Sequence, residues 1–108
     1  MQDVFDSAVL IEAYFQNSPT LSIYKANTLL IDAIERRLAI IGEALWKADK
    51  LDKTLVVSNK RRIIALRHIL IHDYDLIEDE AIWLICQKNI PVLKDEVQLI
   101  LNNNQTVI

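Results

Sequence analysis

The residues best able to do chemistry lie together in Arg67-His68-Ile69-Leu70-Ile71-His72-Asp73-Tyr74. An unpaired polar group buried in apolar surroundings costs on the order of 1–3 kcal/mol, and an unpaired charge far more. Arginine, histidine and tyrosine inside an otherwise apolar helical pattern therefore point to use rather than to packing. Histidine, with a pKa of roughly 6.5, suits proton transfer near neutral pH. Arginine is always charged and fork-shaped, so it suits a phosphate. The pair suits metal-free cleavage of RNA, in which a base takes the proton of a ribose 2′-OH. That oxygen attacks its own 3′ phosphate while a cation stabilises the crowded phosphorane.

Two other readings use the same residues. His68 and His72, four apart, could share a metal ion, with Asp73, Asp75 and Glu78 nearby. The glutamate that follows the first histidine in metalloprotease helices is missing, and there is no cysteine cluster, so we assign neither a metal nor a cofactor. Upstream, Lys60-Arg61-Arg62 sits at the start of the same helix, where the dipole disfavours cations by about 0.3–1 kcal/mol each. The run is either a solvated face or a phosphate-attracting rim above Arg67.

The element that carries these residues is apolar nearly all round. With Ile63 at zero and 100° per residue, Leu66 and Leu70 fall within about 60° on one side. Ile64 and Ile71 fall within about 100° on the other, and Arg67 lies between them at about 40°. Tyr74 would share the Arg67 line if the helix persisted. Such a helix is covered on two sides, and in a chain of 108 residues the second cover is most simply another subunit. Arg67 and His72, five apart, lie about 140° apart on an ideal helix. They converge if the helix unwinds at His72, or if the site is built across a subunit interface.

The rest of the chain reads as one all-α domain, residues 1–108. Apolar residues make up 52%, with one glycine and two prolines, which favours long helices over a turn-rich β fold. Helices are expected over residues 3–16, 21–50, 59–72, 77–88 and 91–101, with a possible extra turn at 54–57 and a frayed polar tail over 102–108. In the longest, Ile23, Leu30, Ile34, Leu38, Ile41 and Leu45 form one stripe, opposite Glu35, Arg36, Glu43 and Lys47. Arg37 falls inside the apolar arc, which its aliphatic stem can join while the head reaches water. The net charge of −3 gives no global sign of nucleic-acid binding, so RNA would need a local basic patch. The single Cys86 fits a reducing compartment, and residues 1–12 read as neither signal peptide nor membrane span. A soluble cytoplasmic protein is expected.

Taken together, the motif resembles that of the HEPN superfamily, an arginine, a polar residue and a histidine four to six positions after the arginine. The closest branch looks like the HepT toxins, whose R-x4-H-x-Y pattern is filled by Arg67, His72 and Tyr74. Ile41-Gly42-Glu43-Ala44 resembles the I-G-E-A segment of that branch, and Ile90-Pro91-Val92-Leu93-Lys94 its LPxLK segment. The resemblance spans roughly residues 26–101, and departs at His68, where the branch usually has asparagine. It implies a homodimeric four- to five-helix bundle with both motif helices lining one cleft. It implies metal-independent RNA cleavage by Arg67 and His72, with His68 in support. The implied partner is a nucleotidyltransferase antitoxin that moves AMP from ATP to Tyr74. The alternative is a non-catalytic helical dimer that binds a nucleotidyltransferase or another protein, with Arg67 as an interface ion-pair partner, for example of Glu43 across or within the subunit.

Overall fold

The computed structural model describes residues 1–16, 20–52, 57, 60–72 and 79–105, excepting the side chains of 68–72 and 104–105. These residues form six helices: α1 (Gln2–Phe15), α2 (Leu21–Lys25), α3 (Thr28–Leu51), α4 (Lys60–His72), α5 (Asp79–Lys88) and α6 (Ile90–Gln105). No strand occurs among the described residues, so the fold is all-α, as expected.

The long α3 is the spine. Its stripe of Ile34, Leu38, Ile41 and Leu45 is fully buried, while Arg36, Glu43 and Lys47 are exposed, as the 3.6-residue period requires. Arg37 is half-buried, in keeping with a packed stem and a solvated head. On one side α3 receives α1, which buries Val4, Ala8, Ile11 and Phe15 at helical spacing. On another side it receives α4. Helix α6 closes the bundle against α1 through Leu93 and Val97, and a Lys94–Glu12 ion pair of 2.7 Å joins the same two helices.

The expected single helix over 21–50 is divided. Thr20 caps α2, its hydroxyl accepting from the Ile23 amide at 3.3 Å. Asn27 caps α3 through its side-chain oxygen, 3.0 Å from the Leu30 amide. Asparagine is among the best N-caps because its short side chain reaches an otherwise unpaired amide of the first turn. The division carries Ile23 away from the stripe assigned to it, leaving it 46% exposed. Tyr24 goes inward instead and stacks at 5.6 Å on Phe15.

The last helix also differs from expectation. It begins at Ile90, places Pro91 in its first turn, where the missing N–H breaks no helical bond, and continues to Gln105 rather than ending near 101. Within the tail expected to fray, residues 102–105 are therefore helical, and 106–108 lie outside the described residues. Also outside them are the turn expected at 54–57 (except the buried Val57), the cap expected at Asn59 and the start of α5 expected at 77.

Candidate active site

Helix α4 lies antiparallel on α3. As α4 advances from Lys60 to Arg67, its contacts retreat along α3 from Asp49 to Gly42. Gly42, Trp46 and Lys50 lie at i, i+4 and i+8, and so share one face of α3. From α4, Ile63 and Leu66 enter the core, and Arg67 beside them is half-buried.

The glycine makes this approach possible. A Cβ at Gly42 would overlap Arg67 Cβ and lie 3.1 Å from both Arg67 Cγ and the Ile63 carbonyl oxygen. Glycine inside a helix costs roughly 0.5–1 kcal/mol relative to alanine. Here the cost secures a contact of backbone against side-chain stem, and it accounts for the chain's one glycine sitting mid-helix.

Helical side chains lean toward the N-terminus of their own helix. In this antiparallel pair that direction carries Arg67 from Gly42 toward Trp46. Its guanidinium carbon lies 5.5 Å from the centre of the Trp46 ring, within cation–π range. Lys50 reaches the same ring, with Nζ 3.7 Å from its centre. Arg67 Nε is buried without a hydrogen-bond partner, and no carboxylate pairs with the guanidinium among the described residues. Within the chain Glu43, the acid suggested as its partner in the binding-only alternative, meets Lys47 one turn along α3 at 3.4 Å rather than Arg67.

The basic run is not uniform. Lys60 Nζ meets Asp49 at 2.7 Å, with both side chains largely buried, and pins the start of α4 to the end of α3. Arg61 and Arg62 are exposed. Helix α4 continues through His72, so the backbone positions of Arg67 and His72 are separated by an unbroken helical path. Five residues of helix give about 140° of rotation and about 7.5 Å of rise. The side chains of His68 and His72, and all of Asp73, Tyr74, Asp75 and Glu78, lie outside the described residues.

Trp46 was absent from the candidate residues read in the sequence. Its signal was present: it follows Gly42 by four residues and so falls on the glycine's face. That mattered only once Gly42 was known to face Arg67.

Among the described residues, no helix is long and apolar enough to cross a membrane. No solved structure matches the chain. Residues 5–100 match the family model described as ribonuclease HepT-like, and the chain belongs to that family.

Proposed function

We propose that the chain is the ribonuclease toxin of a HEPN/nucleotidyltransferase toxin–antitoxin pair, cutting RNA without a metal in a cleft between two copies. Membership of a ribonuclease family supports the reaction class. The observation that carries the assignment to residues is Arg67: a half-buried residue whose guanidinium lies against an aromatic ring, with no carboxylate partner among the described residues. Such a cation keeps its N–H fork available for a phosphate.

In the reaction, the His72 imidazole takes the proton of the ribose 2′-OH. The freed oxygen bonds to the adjacent phosphorus, and the bond to the 5′ oxygen of the next nucleotide breaks. The leaving 5′ oxygen takes a proton from water and the imidazolium returns its own to solvent, so a 2′,3′-cyclic phosphate and a 5′-hydroxyl end result. Arg67 stabilises the extra charge on the equatorial oxygens. His68 supports the pair from the same helix. The helical path between Arg67 and His72 favours a site completed by a second copy, and Arg61 and Arg62 draw RNA toward it.

Neutralisation follows from the same chemistry. The antitoxin transfers AMP from ATP to the Tyr74 hydroxyl, forming a phosphorus–oxygen bond and releasing pyrophosphate. The adenylate adds negative charge and bulk near Arg67, where an RNA backbone would lie.

The deciding experiment expresses the chain alone and with its nucleotidyltransferase. Alone, it is expected to arrest growth and degrade RNA. Arg67→Ala and His72→Ala are expected to abolish both while the purified protein stays folded and dimeric. With the partner, intact mass is expected to rise by one or more adenylates, lost in Tyr74→Phe. Undiminished toxicity in the two alanine variants removes the proposal. Loss of the dimer in Arg67→Ala favours the binding-only alternative.

A further inference from the structure

We infer that Trp46 is the positioning residue for Arg67, its indole seating Arg67 and Lys50 together as a two-cation clamp for one RNA phosphodiester. The inference rests on the reading of Arg67 as the phosphate-binding group.

Three features of the α3–α4 contact support it. An arginine that must meet a phosphate in one geometry has to be held, because its long stem otherwise samples many rotamers. Gly42 fixes the near end of that stem by admitting Arg67 Cβ and Cγ against the backbone of α3. Trp46 fixes the far end, with the guanidinium carbon 5.5 Å from the ring centre.

An aromatic hold differs from an ionic one in what it leaves free. A carboxylate would occupy the N–H fork and cancel the charge, whereas the face of an indole attracts the cation without accepting those hydrogen bonds. Among the described residues neither Arg67 nor Lys50 has a carboxylate partner.

Lys50 gives the cluster its direction. Its ammonium lies 3.7 Å from the centre of the ring that also attracts Arg67. Two positive charges on one indole repel each other, and an anion that bridges them relieves the repulsion. Trp46 is 37% exposed, so the cluster opens to solvent where a nucleic-acid backbone can reach it.

The test uses the full-length dimer and a 2′-O-methyl RNA oligonucleotide, which binds but has no 2′-OH with which to cleave. Affinity is read by anisotropy, and a Trp83→Phe background makes Trp46 fluorescence a direct reporter. Trp46→Ala is expected to weaken binding roughly five- to tenfold. Trp46→Phe, which keeps a ring face, is expected to recover most of that loss. Trp46→Ala added to Arg67→Ala with Lys50→Gln is expected to bind no more weakly than that pair alone, because the indole acts only through the two cations. Lys50→Gln is expected to lower the salt-dependence slope by about one.

Wild-type affinity in Trp46→Ala, a further loss when Trp46→Ala is added to Arg67→Ala with Lys50→Gln, or dissociation of the dimer in Trp46→Ala each overturn the inference. If Arg67→Ala weakens RNA binding and Trp46→Ala does not, the inference fails alone. If Arg67→Ala binds and cleaves RNA like the wild type, the underlying reading fails with it.

Discussion

Gly42 of α3 and Arg67 of α4 face each other so closely that the space a Cβ at position 42 would need is already filled by Arg67 Cβ. The neighbouring Ile63 carbonyl oxygen stands 3.1 Å from the same point, so α4 lines the gap with two atoms fixed to its backbone. Neither can yield by a simple rotamer change. The glycine therefore sets the distance between α3 and α4, and with it the position from which the arginine projects.

Gly42→Ala is accordingly expected to destabilise the fold despite alanine's better helix propensity. The propensity gain is about 1 kcal/mol, whereas overpacking against fixed atoms costs roughly 1–3 kcal/mol. Because the clash is Cβ against Cβ, Arg67→Ala should not relieve it. Urea unfolding of the single and double variants checks this. A Gly42→Ala chain as stable as the wild type would show that the two helices need not approach so closely.

How far the sequence reveals this arrangement depends on whether the signal lies within one helix or between two. The buried stripe Ile34, Leu38, Ile41 and Leu45 was legible because a single helix imposes its period on its own residues. The break before Thr28 was missed because Ile23 happens to continue that stripe in phase, although Asn27 carried a capping signal. Arg67 and the glycine were each singled out, the second through the I-G-E-A resemblance. Their contact was not legible, because crossing geometry depends on which faces of two separate helices meet. Trp46 was missed for the same reason.

Lys60 should separate from its two neighbours in experiment. Its 2.7 Å pair with Asp49 is largely shielded from water, so Lys60→Ala is expected to cost about 1–2 kcal/mol of stability. Arg61 and Arg62 are exposed, and their alanine variants should leave stability within about 0.5 kcal/mol. Each should instead weaken RNA binding and reduce its salt slope by about one. Thermal melts and salt titrations of the three variants make the comparison. Equal effects on stability would show that the run acts as one structural unit.

Alkaline pH should destabilise the chain. Burial pushes the Cys86 thiol from its ordinary 9.0 up to about 12. Tyr24 is raised as well, first by burial and then by the nearby Cys86, Glu35 and Asp79. Both groups are neutral acids in the folded state that ionise more readily when unfolded. Above about pH 9 the unfolded chain therefore holds fewer protons than the folded one, and stability falls as pH rises through the folded pKa of Cys86. Below that window neither group contributes a pH dependence. Denaturant midpoints from pH 7 to 11 should decline, and Cys86→Ala should flatten part of the decline. The thiol, 4% exposed, should meanwhile react with iodoacetamide only as fast as the chain opens. Rapid alkylation of the folded protein would contradict the burial.

Mixing inactive chains tests whether the site is shared between subunits. Helix α4 runs unbroken from Arg67 to His72, so their backbone positions on one chain point about 140° apart. A site that joins them across a two-fold axis takes Arg67 from one copy and His72 from the other. Arg67→Ala and His72→Ala homodimers would each lack one group at both sites. A heterodimer of the two would contain one complete site, because the intact Arg67 of one chain meets the intact His72 of its partner. Random re-pairing makes about half the dimers mixed, each with one working site of two, so about a quarter of wild-type ribonuclease activity is expected. Refolding the two variants together and assaying RNA cleavage measures this. If each site instead lies within one chain, no dimer in the mixture holds a complete site, and the activity stays at the level of the separate variants.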